Sequence, residues 1–164
     1  MLSSKETKAC RPIKSAPSKR HHPMADVFIL GPRSELEALS IEDAPEDTGY
    51  CLSAGPIDRE SRAVLYAQLS GLFIDDALAH EQYDHSIDDQ GPHLFALSAE
   101  MITSMAAIDD DRNEIVVGDW LASEPMARHD LELVDVCQFL FDLSHFCQLA
   151  IQTPELGVFI LSEG

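Results

Sequence analysis

Residues 130–152 read DLELVDVCQFLFDLSHFCQLAIQ, and the chain then runs through Thr153-Pro154-Glu155-Leu156 into Gly157-Val158-Phe159-Ile160-Leu161. This stretch decides the fold. Leu133, Val136, Cys137, Leu140, Leu143, Ser144 and Cys147 recur at three- and four-residue spacing and trace one seam of a helix. Phe139, Phe141, Phe146 and Leu149 make its other faces apolar, which predicts a central helix covered on several sides. Pro154 has no amide hydrogen to continue the ladder, so the helix stops there. The short β-rich run after it reads as a closing strand.

Working outward, Val27-Phe28-Ile29-Leu30 before Gly31-Pro32 predicts a buried first strand. Ser34-Glu35-Leu36-Glu37 has capping-box spacing and predicts a short helix through Leu39. Residues 42–56 read as loop, with a short strand at Tyr50-Cys51-Leu52. Asp58 is placed to cap a helix over 59–70, with Val64, Leu65, Leu69 and Leu72 on its apolar side. Residues 75–92 read as acidic and turn-rich. His93–Leu97 reads as a strand, and Ser98 as the cap of a helix whose Met101, Ile102, Met105 and Ile108 face inward. Asp109–Asn113 reads as a loop. Ile115-Val116-Val117 fits either a strand or a continuation into Trp120, the sole tryptophan, which reads first as a core anchor and otherwise as an exposed hot spot. Strands at both ends with helices between predict an α+β fold, one small sheet packed by helices.

The charge is divided sharply. The 164-residue chain has a formal net charge of −18. Residues 1–23 hold six basic residues and one acid, a charge of +5. Residues 24–164 hold five Arg, no Lys and 28 acids, a charge of −23. The expectation is a disordered basic tail over 1–23 and one acidic globular domain over 24–164. A start at Met24 is an alternative to Met1. The tail has no apolar run of secretory length, and no stretch is apolar enough for a membrane span. The four cysteines, Cys10, Cys51, Cys137 and Cys147, lack C-x-x-C spacing. Reduced thiols in a cytoplasmic protein are therefore expected. An acidic body disfavours unaided binding to nucleic acid or to anionic lipid, because both need a basic face.

Three groups carry candidate chemistry. His80-Glu81-Gln82-Tyr83-Asp84-His85 approaches a zincin motif, but its histidines are five apart, roughly 140° out of register on a helix. A loop could still bring His80, Asp84 and His85 to one metal. Asp109, Asp111 and Asn113 match positions one, three and five of a calcium loop, yet Glu114 and Trp120 stand where Gly and Glu are needed. Asp142 and His145 can pair on the long helix. Cys137 and His145 are eight residues apart, roughly 12 Å along it, too far to form a nucleophile and base. Nucleotide-binding glycine loops and a nucleophile elbow are missing, so no cofactor is expected.

The remaining signal is carboxylate. It clusters at Glu42-Asp43 with Glu46-Asp47, at Asp75-Asp76, at Asp84 with Asp88-Asp89, and at Asp109-Asp110-Asp111. Solubility alone accounts for such clusters, as does a surface complementary to a basic partner. The leading expectation is a non-enzymatic acidic binding protein, for example an immunity or inhibitor protein masking a basic partner. A metal-dependent enzyme built on residues 80–85 and a nucleic-acid mimic are the alternatives. Oligomeric state stays open, since the apolar 130–152 helix suits a homodimer as well as a monomer.

Leu94-Phe95-Ala96-Leu97-Ser98-Ala99-Glu100, Trp120, then Leu140, Leu143, Phe146 and Ala150, then Gly157–Leu161, form a strand, capped helix, tryptophan segment, long helix and closing strand. In this order the C-terminal half resembles the YfbM-like bacterial domain of unknown function. The resemblance implies an α+β fold and a bacterial cytoplasmic protein. It transfers no catalytic residue.

Overall fold

The first and last strands of the chain lie side by side. In a computed structural model describing residues 25–40, 42–43 and 45–163, β1 (Val27–Pro32) pairs antiparallel with β5 (Leu156–Ser162), Phe28 opposite Ile160. The segment 1–23 and Cys10 lie outside the described residues. β2 (Tyr50–Ser53) flanks β1, while β4 (His93–Leu97) flanks β5 and β3 (Glu81–Ser86) closes the far edge. The sheet is five-stranded and antiparallel in the order β2-β1-β5-β4-β3.

Alternation along these strands creates two apolar faces. Phe28, Leu30, Leu97, Val158 and Ile160 belong to the larger core, which the main helices cover. Val27, Ile29, Leu94 and Phe159 point the other way and meet Leu36 and Leu39. That second face is covered by α1 (Arg33–Leu36) and the turn after it. The capping box expected at Ser34 is absent: Pro32 stands at the N-cap, with no side-chain cap bond. Within the expected 42–56 loop, α2 (Pro45–Thr48) precedes β2. Gly49 allows this, because a Cβ there would collide with the Leu30 carbonyl.

α3 (Arg59–Ser70) starts where expected, with Asp58 accepting from the Ser61 amide at 3.0 Å. It ends at Gly71, whose φ of 80° suits a residue without Cβ. Leu72 therefore lies past the helix and is exposed, contrary to its inward reading. α4 (Ile74–Ala77) and a 3₁₀ turn over Leu78–His80 lead into β3. Ser98 caps α5 (Ala99–Ala106), and Met101, Ile102, Met105 and Ile108 are buried as expected.

Asp109–Asn113 is not a loop. Asp109 accepts from the Arg112 amide at 2.8 Å and begins α6 (Asp110–Leu121), which takes up Ile115-Val116-Val117 and Trp120. Trp120 is fully buried and donates to the Ser61 carbonyl at 2.8 Å, tying α6 to α3. After α7 (Glu124–Ala127), α8 (Leu133–Gln152) runs beneath the sheet. Val136, Phe139, Leu140, Leu143, Ser144, Cys147 and Ala150 form its buried face. Leu133 and Phe141 are exposed, so the helix is covered on one broad face rather than all round. The fold is α+β, with the long helix followed by the closing strand. Among the described residues no helix is long and apolar enough to cross a membrane.

Candidate functional site

Arg62 lies on the inward face of α3 beside Leu65 and Tyr66, and it is 1% exposed. A guanidinium there is costly unless its donors are met. Here they are met. Nε and a terminal nitrogen donate to the two Glu81 oxygens at 2.6 and 3.1 Å. The other terminal nitrogen donates to Asp26 at 2.8 Å and to the Ile57 carbonyl at 3.0 Å. Tyr66 donates its hydroxyl to Glu81, and Arg59 lies 3.3 Å from the same carboxylate. Burial opposes the Arg62 charge, but the Glu81 bonds and charge outweigh it and raise its pKa. Burial, reinforced by the Glu81 charge, pushes the Tyr66 phenol well up. Arg59 covers the Phe95 ring at 4.5 Å and lines a cavity of about 460 Å³ with Asp26, Asp58, Glu60 and Glu163.

This network was not expected from sequence. Asp26, Arg62 and Glu81 are far apart in the chain and match no motif. The one available signal was an arginine at the helical spacing of Leu65, Tyr66 and Leu69.

The structure separates His80 from the Asp84–His85 pair. A bulge between Tyr83 and His85 leaves Asp84 without a register partner and puts His85 opposite Leu94. His85 thereby faces the thin side of the sheet, donating to the Leu39 carbonyl at 2.8 Å and pairing with Asp84 at 2.6 Å. His80 is buried on the helix side, with Nδ1 2.6 Å from Ser98 Oγ and its ring edge-on to Tyr66. The expected loop cluster is thus split across two faces of a sheet. Among the described residues no three His, Cys, Asp or Glu side chains are grouped to hold a metal ion. The calcium-loop alternative also gives way, since Asp109 caps α6 and Asn113 is buried against the Cys137 carbonyl.

Other serine and histidine contacts are structural in geometry. Ser61 and Asp58 both approach His129 through Nε2, at 3.2 and 3.9 Å, so Asp58 does not orient the opposite nitrogen as a triad requires. Ser61 is also fully buried. Tyr83, Ser86 and His93 form a chain of contacts of 2.7 Å on β3 and β4. Cys137 and Cys147 are free thiols. Burial pushes Cys147 up to about 12, so it behaves as a small apolar residue.

All the acidic clusters expected to form a surface are exposed: Glu42, Asp43, Glu46, Asp47, Asp75, Asp76, Asp84, Asp88, Asp89, Asp109, Asp110 and Asp111. They do not form one continuous patch by element. Glu42 and Asp43 follow the Leu36–Leu39 cover, where Ser40 binds Asp43 at 2.9 Å. The His85 bond to Leu39 brings Asp84 to that same side. Asp75 and Asp76 lie on α4, after α3, and Asp109–Asp111 open α6. Among the described residues only Asp26, Glu60 and Glu81 pair with an arginine.

A second cleft, of about 340 Å³, lies between the start of α6 and the middle of α8. Asp109 and Asp110 form one wall. Phe141 and His145, stacked at 6.4 Å with 21° between their rings, form the other. Ser144 and Gln148 fix the floor by donating to the Met105 and Ala106 carbonyls at 2.8 and 3.2 Å. Sequence reasoning paired His145 with Asp142, whereas Asp142 accepts from Gln138 at 3.0 Å. No protein-family model, curated protein or solved structure matches the chain.

Proposed function

We propose that this chain is a non-enzymatic acidic protein-binding module that covers a basic surface of a partner, in the manner of an immunity or inhibitor protein. One observation carries the reading. Three of the five arginines in the body, Arg59, Arg62 and Arg128, are engaged with the chain's own carboxylates, while among the described residues the acidic clusters on the outside have no arginine partner. The field outside the fold is therefore strongly negative, and such a field speeds encounter with a cationic protein.

The test is retention of a partner by the immobilised chain at about 50 mM and about 500 mM salt, since screening shortens from about 14 Å to about 4 Å over that range. The expected result is capture at low salt and release at high salt, followed by reconstitution from the purified pair. A purified partner that binds equally at both salts would overturn the electrostatic reading.

A further inference from the structure

The cleft between α6 and α8 differs from the other acidic regions in having an aromatic wall. Phe141 is 49% exposed, although a large apolar side chain on a helix is usually turned inward. Seven residues earlier on the same face of α8, Val134 is 71% exposed. Asp110 and Asp109, whose Oδ1 also accepts from the Arg112 amide, line the same cleft as Phe141. Glu132, Asp135, Asp111 and Glu114 are exposed along the same two helices, with Arg112 the sole Lys or Arg on either.

An aromatic face opposite carboxylates recognises a cation, and a planar one best. A guanidinium can lie over a ring while its N–H groups reach carboxylate oxygens. We infer that this cleft is where the basic partner docks, and that it takes an arginine side chain, stacked on Phe141 and hydrogen-bonded to Asp109 and Asp110. The inference rests on the acidic-module reading above and adds to it a place and a residue type. Lysine fills the same charge but lacks the plane and the fork, so the site prefers arginine.

The probes are hexa-arginine and hexa-lysine peptides, titrated into the full chain at about 50 mM salt and followed by amide NMR shifts. The expected shifts centre on Ile108–Asp110 and Phe141–Gln148, with hexa-arginine bound more tightly than hexa-lysine. Phe141→Ala and Phe141→Leu each weaken hexa-arginine binding about threefold to fivefold, while Phe141→Tyr retains it. Asp110→Asn weakens it more than Asp88→Asn, a matched charge loss in the β3–β4 turn. Both positions are exposed, and an unchanged thermal melt confirms that each variant folds. Binding that ignores Phe141 and falls equally with Asp110→Asn and Asp88→Asn would overturn the cleft while leaving the acidic module standing. No binding of either peptide would overturn both.

Discussion

The same two kinds of group, guanidinium and carboxylate, are used in opposite ways in two regions of this molecule. Around Glu81 they are enclosed, and each nitrogen of Arg62 has an acceptor within 3.1 Å. On the outer faces the carboxylates of residues 42–47, 75–76, 88–89 and 109–111 are exposed, and among the described residues none has an arginine opposite. A carboxylate on the surface costs little to leave unpaired, whereas one in the core must be matched bond for bond. The interior charges therefore belong to the fold, while the exterior ones serve at most local caps and turns, as Asp109, Asp43 and Asp88 do. Net charge alone conceals this division.

The division is broken most severely by removing one member of the enclosed group. Glu81→Ala leaves Arg62 buried without its bidentate acceptor, and Tyr66 without its partner. The expected loss is about 3–5 kcal/mol in denaturant-unfolding free energy. Replacing both partners, as in Arg62→Met with Glu81→Leu, recovers a large part of that loss, because the two fully buried charges leave together and the partners left behind, Asp26 and Arg59, reach water. If the double variant were no better than Glu81→Ala, the cost would lie in packing rather than in an orphaned charge.

A smaller effect is expected where one carboxylate serves a helix rather than the network. Asp109→Ala removes the acceptor for the Arg112 amide, and Asp58→Ala removes that for Ser61. Each should cost about 1 kcal/mol. Their pH dependence sharpens the contrast further. Burial works against the Asp58 charge, but the Ser61 bonds and His129 outweigh it and lower its pKa below 3.8. Its contribution is therefore complete above about pH 4 and is lost as pH falls through the lowered value. His85 behaves in the opposite sense. The Leu39 carbonyl first, and then Asp84, raise its pKa above 6.5 against a modest burial penalty. The stability it confers is fully present below about pH 6.5 and disappears as pH rises through the raised value. His85→Gln should remove that alkaline slope and leave the acid limb from Asp58 intact, as read from unfolding midpoints across pH.

The elements legible in the sequence were those whose signal is local. Asp58 and Ser98 announce their helices through capping chemistry, and Pro154 ends α8 because it cannot donate. β3 was illegible for a physical reason. Its sequence EQYDHS has one aromatic residue and no β-branched residue, and its bulge at Asp84 breaks the alternation by which a strand is recognised. Ile115-Val116-Val117 misled in the other direction, because the Asp109 cap and the burial of Val116, Val117 and Trp120 outweigh the β preference of three branched residues. The acidic clusters could be located from sequence, since exposure follows from composition. The Arg62–Glu81–Asp26 group could not, because it exists only after the sheet edge, α3 and β1 have met. Trp120 is a core anchor, as its sequence suggests, and it lies within α6.

The smallest expected change in stability is the most informative about the outer charges. Asp88→Asn with Asp89→Asn alters two exposed carboxylates in the turn between β3 and β4. Among the described contacts, the one bond either side chain makes is that of Asp88 with the neighbouring Asp89 amide, 2.8 Å. Replacement by asparagine keeps a carbonyl oxygen for that amide, so unfolding free energy should shift by less than about 0.5 kcal/mol. Removing two negative charges lowers the outward field, so retention of a basic partner at low salt should decrease while retention at high salt stays the same. A stability loss comparable to Asp109→Ala would mean that these carboxylates hold the hairpin and belong with the enclosed group. An unchanged melt with a weakened salt-sensitive interaction places them with the charges that face outward, and it does so without disturbing a single arginine.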